Sequence, residues 1–339
     1  MSFNILAMES FNTYINNCRE RVLGKENRLY LMGIAITWIF FYHFYCWYIG
    51  TRPWWIYFFS EGQTGVDIFL FISAYGLEAS FRRKSWILFY KSRAKRILPV
   101  YLLFLFLIYA FIQESSVTKI VIQCIAQLTG GALFVKPDFF STNFVFDWFT
   151  PALILFYLLF PIISYCLNYI AKQSSIIEIT TLIILIIISY IALRNIHLPI
   201  KALMYRLPII MLGCCTYIHL ERQNYTRLLS LYIIAFIGGL LSNQHWFLTS
   251  TSIPILLTVY SLIGDFQPLR YFFCLLGRHS YEIYLAHIIP VTNFLMLYPI
   301  ANIYLYILVT TIFTVVVATI FSLFHKYANI LLNSTKSNE

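Results

Sequence analysis

The sequence predicts an all-α integral membrane protein in which about ten transmembrane helices form a single bundle. The chain of 339 residues is 60% hydrophobic and 11% charged, whereas soluble domains carry about 25% charged residues. Its mean hydropathy is +0.74. Apolar stretches long enough to cross a bilayer recur from residue 29 onward, and no polar block between them is long enough to fold as a separate soluble domain.

Ten stretches have the length and composition of a transmembrane helix. They are residues 29–48, 64–81, 97–113, 147–167, 176–193, 202–220, 227–243, 247–264, 280–298 and 301–323. A further stretch, 118–135, contains Gln123, Gln127 and the pair Gly130–Gly131. Its composition fits either a crossing helix or a segment that re-enters the membrane from one side.

The distribution of Lys and Arg favours the re-entrant alternative. If 118–135 does not cross, most cations fall on one side of the membrane, and if it crosses they divide more evenly. Because inner loops collect positive charge, we expect ten spans with both termini cytosolic. The predicted organisation is a cytosolic N-terminal segment 1–28, a membrane domain 29–323 and a cytosolic C-terminal tail 324–339.

Composition also argues against several classes of function. The net charge of +10 does not indicate nucleic-acid binding, because cationic inner loops account for it. The seven cysteines show no CxxC spacing and no grouping with histidines, so we predict neither a disulfide framework nor a metal site. We find no internal repeat of the kind that builds many transporters.

His43 and Asp67 are the first candidates for chemistry. His43 lies near the end of the first span and Asp67 opens the second, so a helical hairpin places both at one depth. Ionisable groups in a bilayer are functional candidates, and a carboxylate that orients a histidine is a common general-base arrangement. The alternative is two separately satisfied polar residues near an interface, with Asp67 capping its helix.

A cationic segment precedes the third span. Residues 82–99, RRKSWILFYKSRAKRILP, carry seven Lys and Arg in a predicted inner loop. Arg93 and Arg96 are three residues apart and share a face if the loop continues into the helix, where Pro99 fits the first turn. Such a guanidinium pair suits the phosphates of a cytosolic donor or, alternatively, anionic lipid headgroups.

Four further residues are candidates for substrate binding. Arg206 lies inside a span near its outer end and either extends to the surface or faces an outer cavity. Glu78 shares a helix with Asp67 and either lines the same interior or pairs with the loop arginines. Tyr284 and His287 share one face of the ninth span, which is typical of a lined cavity or of interfacial hydrogen bonding.

Four segments in this order resemble those of the acyltransferase family 3 of membrane enzymes. They are LMGIAITWIFFYHF, GVDIFLFISAYGL, FYKSRAKRILPVYLL and LLGRHSYEIYLAH. The second is similar to the family's GVDxFFxxSGF segment, the third to FxxxRxxRIxP and the fourth to LGxxSYxIYLxH. The resemblance covers roughly residues 25–325.

The resemblance implies an O-acyltransferase with membrane domain 29–323, embedded as a multi-pass protein in a bacterial plasma membrane. The donor would be cytosolic acetyl-CoA, without a metal, and the acceptor a hydroxyl of a surface polysaccharide or its lipid-linked precursor. His43 matches the catalytic histidine, Asp67 the acid of the second segment, and Arg93 and Arg96 the pair linked to the donor. Direct transfer and an acetyl-histidine intermediate are both open.

The sequence departs from the family pattern at two places. Met32 stands where an arginine is often found eleven residues before the histidine, and Arg28, one turn earlier, is a partial substitute that we assign to donor binding. Leu153 and Ile154 stand where a WSLSxExQFY segment carries its acids. No catalytic role is therefore transferred to that helix.

Two other classes of function remain as alternatives. The intramembrane ionisable residues also fit a transporter or flippase for a polar solute. The departures at Met32, Leu153 and Ile154 also fit a non-catalytic scaffold of a glycan-assembly complex. Expected partners are the glycan acceptor and membrane lipids, with no nucleic acid.

Overall fold

The computed structural model describes residues 23–48, 50–111, 116–136, 147–242, 267–290, 300 and 302–334. Within these ranges all regular secondary structure is helical. The α-helices are α1 (Lys25–Trp47), α2 (Gly65–Arg83), α3 (Trp86–Phe111), α4 (Val117–Thr129), α5 (Phe149–Ile170), α6 (Ser175–Asn195), α7 (Lys201–Met204), α8 (Leu207–Glu221), α9 (Tyr225–Ser242), α10 (Gln267–Arg278), α11 (Ser280–Ile288) and α12 (Ile303–Ser334). Short 3-10 helices cover Trp54–Phe59, Gly62–Thr64 and Gly131–Phe134.

The predicted all-helical class is confirmed, and the helices support an integral membrane protein. In the described ranges, α1, α5, α6 and most of α12 are long and apolar enough to cross a membrane, and α4, α8 and α9 are shorter apolar helices. The predicted span 247–264 and the second half of 280–298 lie outside the described residues. The number of ten spans and the side of the termini stay predictions.

The prediction that residues 82–96 form an inner loop is wrong, because most of this segment is helical. Only residues 84 and 85 separate α2 from α3, and α3 begins at Trp86. Its first turns are anchored by Phe89, which is buried and contacts the rings of Phe81 and Phe160. Lys91, Arg93, Lys95 and Arg96 therefore project from a packed helix instead of a solvated loop.

The predicted position of Pro99 in a first turn is also wrong, since it lies inside α3. Proline has no N–H, so the carbonyl of Lys95, four residues earlier, loses its helical donor. His325 of α12 replaces that donor, with its Nε2 3.1 Å from the Lys95 oxygen. The opposite nitrogen, Nδ1, lies 2.8 Å from Glu282 of α11.

One span predicted over 202–220 is divided into α7 and α8. The break falls at Tyr205 and Arg206, immediately before the first turn of α8, which contains Pro208. Proline fits a first turn but cannot continue an incoming helix. The break sets Arg206 at the entrance to α8, where it faces the interior.

The structure supports the re-entrant alternative for 118–135. Helix α4 has 13 residues and is thus about 20 Å long, whereas the hydrocarbon core is about 30 Å thick. It ends at Gly130, whose φ of 79° reverses the chain. Gln127 on its inner face accepts a hydrogen bond from Tyr101 at 2.7 Å.

Close backbone approaches bring the site helices together. A Cβ on Gly277 of α10 would lie 1.7 Å from the carbonyl oxygen of Leu29, and one on Gly33 of α1 would lie 1.9 Å from that of Phe273. Only glycine permits such an approach, which is a common packing mode of helices in membranes. Helix α1 therefore packs against α10, and α10 directly precedes α11 in the chain.

We expect His325→Ala to lower the free energy of unfolding by about 1–3 kcal/mol, because it leaves the Lys95 carbonyl without a donor. Pro99→Ala restores a backbone N–H to that carbonyl. The cost of His325→Ala should therefore be smaller in a Pro99→Ala background, as measured by denaturation of the four purified proteins in detergent. An equal cost in both backgrounds would show that His325 does not act through this carbonyl.

Candidate functional site

Two histidines from distant parts of the chain meet in the bundle. His43 on α1 and His287 on α11 approach to 3.0 Å between Nδ1 of His43 and Nε2 of His287. His287 is fully buried and His43 is half-buried. Each Nδ1 also faces the carbonyl one turn earlier on its own helix, at 3.0 Å for Ile39 and 3.1 Å for Ile283.

These contacts determine the tautomers of the pair when both rings are neutral. A carbonyl only accepts hydrogen bonds, so Nδ1 of His287 carries the hydrogen and donates to Ile283. Its Nε2 is then an acceptor and receives the Nδ1 hydrogen of His43. This assignment leaves Nε2 of His43 with a free lone pair, which is the form needed to take a proton.

The structure brings His43 to His287 and not to Asp67. Asp67, in the first turn of α2, accepts a hydrogen bond from Nε of Arg206 at 2.6 Å. Both side chains are 2% exposed, and a buried arginine requires such a counter-ion. The hypothesis that Asp67 orients His43 has no support in these contacts, because this carboxylate neutralises a different residue.

Arg206 does not extend to the surface, which was one of the two alternatives expected for it. Its guanidinium also donates to the Ala202 carbonyl at 2.8 Å and lies against the rings of Trp148 and Tyr205. The side chain is 2% exposed and therefore does not reach the surface, whereas an outer cavity beside it stays a prediction. It connects the start of α8 to the start of α2, so its contacts are those of a structural ion pair.

Glu78 takes the second of its two expected arrangements. It accepts hydrogen bonds from Arg82 at 2.9 Å and from Asn168 at 2.7 Å, and Arg82 also donates to Asn168. Glu78 thus pairs with an arginine at the end of α2 and links α2 to α5. These contacts give no support for substrate binding by Glu78.

Tyr284 contacts an acid that the sequence reasoning missed. Its hydroxyl donates to Asp147 at 2.7 Å, and the same carboxylate oxygen accepts the backbone N–H groups of Phe149 and Thr150. Asp147 is buried and lies two residues before the start of α5. The available signal was an aspartate directly before an apolar run, which is typical of a helix N-terminus.

The three arginines predicted to bind the donor surround one cavity. It has a volume of about 440 Å³ and lies where α1 begins and α2 ends, against α3. The cations that line it are Lys25, Arg28, Arg83, Lys84, Arg93 and Arg96. Arg93 is held by its hydrogen bond to Ser80 at 3.2 Å. We call this space the cationic cavity.

A second, smaller cavity shares lining residues with the first. It has a volume of about 40 Å³, and we call it the inner cavity. Four residues line both spaces, namely Met32, Ser73, Arg96 and Tyr157. The inner cavity is also lined by Ile39 and Tyr284, each about one turn before a histidine of the pair.

A comparison with protein families decides the identity. The model of an acyltransferase domain, that of acyltransferase family 3, matches residues 30–323. The chain belongs to this family. No curated protein and no solved structure matches it significantly.

The predicted resemblance is therefore confirmed, and the protein is a membrane acyltransferase. Its two departures from the family pattern lie in one place. Met32 lines both cavities and Leu153 lines the inner one. Two of the three positions without the expected charges, Met32 and Leu153, thus line the same cavity.

We expect Asp67→Asn to destabilise the acyltransferase by about 3–5 kcal/mol, because it leaves Arg206 as an uncompensated buried charge. The double variant Asp67→Asn/Arg206→Met removes both charges and should recover much of that loss. Unfolding in detergent measures both effects. A single Asp67→Asn variant with unchanged stability and abolished turnover would instead give Asp67 a direct role in catalysis.

Proposed function

We propose that this acyltransferase transfers an acetyl group from cytosolic acetyl-CoA to a hydroxyl of a cell-surface polysaccharide or its lipid-linked precursor in a bacterial plasma membrane. The observation that carries the proposal is the pair of adjoining cavities. They connect a cluster of six cations to the helical turns that carry His43 and His287.

The cationic cavity suits the phosphates of coenzyme A. Arg28, Arg93 and Arg96 come from two helices and line the same space, so their charges act on one ligand. Guanidinium groups bind phosphate oxygens through paired hydrogen bonds. The cavity volume of about 440 Å³ lies within the range of about 300–1,000 Å³ typical of small-molecule sites.

The thioester end of the donor would enter the inner cavity. Met32 and Tyr157 line the passage, and the cavity continues to Ile39, whose carbonyl contacts His43. A donor held by its phosphates would thus present its acyl group beside the histidine pair. Fixing the reacting groups in this way contributes a large part of the rate of two-substrate reactions.

His43 would act as the general base. Its Nε2 takes the proton of the acceptor hydroxyl while the hydroxyl oxygen attacks the thioester carbonyl. The carbon–sulfur bond then breaks, and the proton passes from His43 to the leaving thiolate. His287 and the Ile39 carbonyl both accept the Nδ1 hydrogen of His43, so His287 helps to hold the ring and its tautomer without bringing another charge into the membrane.

The family assignment argues against the other two classes of function. It makes the protein an enzyme, whereas a transporter or a scaffold needs no reacting pair and no donor site. The departures at Met32 and Leu153 do not remove the site, because they line an apolar part of the path and leave the histidines in contact.

We expect His43→Ala to abolish transfer of acetyl from acetyl-CoA to the surface glycan. His287→Ala should lower kcat about 10- to 100-fold with little change in KM, because the base remains and the Ile39 carbonyl still accepts its Nδ1 hydrogen, but the second acceptor that holds the ring in place is lost. His287→Gln should recover part of the loss, since its amide oxygen can accept the same hydrogen. Mass spectrometry of the glycan and steady-state rates with the purified protein measure these effects. Unimpaired acetylation by His43→Ala would refute the proposed base.

We expect Arg93→Ala and Arg96→Ala each to weaken acetyl-CoA binding about tenfold, the value of one lost charge-assisted contact. Lys91→Ala is the matched control, because Lys91 is exposed on the same helix and does not line the cavity. Titration of acetyl-CoA onto each purified variant gives the affinities. An equal loss in Lys91→Ala would mean that net charge, and not this cavity, binds the donor.

A further inference from the structure

The inner cavity is small and largely apolar. Its lining includes the apolar side chains of Ile39, Val66, Phe69, Ile97, Phe149 and Leu153. They come from α1, α2, α3 and α5, so the cavity lies where these helices meet. Such a wall favours an apolar group, since burial of polar atoms without partners is costly.

The volume of this cavity limits the size of a bound group. The inner cavity has a volume of about 40 Å³, whereas the cationic cavity has about 440 Å³, so the inner cavity takes only a small part of a donor. An acetyl group has three non-hydrogen atoms and a butyryl group has five. The shorter acyl group therefore suits so small a space better.

Leu153 and Met32 are the side chains best placed to set this limit. Leu153 is 6% exposed and lines the inner cavity but not the cationic cavity, so it forms part of the wall. Met32 is 8% exposed and lines both cavities, so it narrows their junction. Replacing either by alanine removes three non-hydrogen atoms, about the volume of an acetyl group.

We propose that the inner cavity is the acyl pocket, that it restricts the donor to acetyl-sized groups, and that Leu153 and Met32 determine this specificity. The proposal rests on the function proposed above, since it assumes that acyl-CoA is the donor. It assigns a role to two of the three positions that depart from the family pattern. Both are apolar, and both lie beside the path of the acyl chain.

The test compares the affinities of coenzyme A, acetyl-CoA and butyryl-CoA for the purified full-length protein in detergent. The wild type should bind acetyl-CoA more tightly than butyryl-CoA. Leu153→Ala should raise the affinity for butyryl-CoA relative to acetyl-CoA about tenfold, the value of burying two methylene groups. Met32→Ala should change the ratio in the same direction.

Two further variants separate this role from a general loss of structure. Leu159→Ala shortens an exposed leucine on the same helix and should leave the ratio unchanged. Leu153→Phe should fill the pocket and remove the preference for acetyl-CoA over coenzyme A, while coenzyme A itself still binds. Binding of coenzyme A also confirms that each variant is folded.

The outcomes distinguish the two proposals. If coenzyme A does not bind the wild type, the donor site itself is wrong. If coenzyme A binds but the ratio of butyryl-CoA to acetyl-CoA affinity is the same in the wild type, Leu153→Ala and Met32→Ala, the acyl pocket is refuted while the donor site stands. The acyl pocket is also refuted if Leu159→Ala changes this affinity ratio as much as Leu153→Ala does.

Discussion

A polar group in the hydrocarbon core of a membrane must find its partner within the protein, because no water is present to replace it. This constraint determines most of the contacts described above. Arg206 and Asp67 neutralise each other, Glu78 receives two donors, and the carbonyl freed by Pro99 is bonded by His325. Ser189 likewise lies within hydrogen-bond distance of the Met204 carbonyl, which Pro208 leaves without a helical donor.

The same constraint separates structural from chemical candidates. An ionisable residue whose contacts are saturated by a counter-ion has little left to offer a substrate, as is the case for Arg206. His43 differs from it, because its two hydrogen-bond contacts involve a single nitrogen. The remaining nitrogen makes this residue suitable for catalysis, which sequence position alone does not reveal.

The helical class and much of the helix order could be predicted because hydrophobic length is a strong signal. The start of α3 could not be predicted, because a run of cations such as that in residues 82–96 is typical of a loop. The buried contacts of Phe89 stabilise the first turns of the helix, which therefore includes most of this segment. A contact between His43 and Asp67 was a reasonable expectation, because the predicted hairpin places both residues at one depth. Their actual partners, His287 and Arg206, lie more than 130 residues away along the chain, and no local pattern determines which side chains meet at that distance. The grouping of Arg28, Arg93 and Arg96 was easier to predict, because cations near the same end of adjacent helices come close together.

The bond between His325 and Lys95 has a consequence for biosynthesis. The turn that carries Arg96 is completed by a residue of α12 that lies 230 positions later in the chain than Lys95. A nascent chain can therefore contain every cation of the cationic cavity and still lack the support of that turn. The arrangement of these cations is complete only after α12 has been synthesised and has packed against α3.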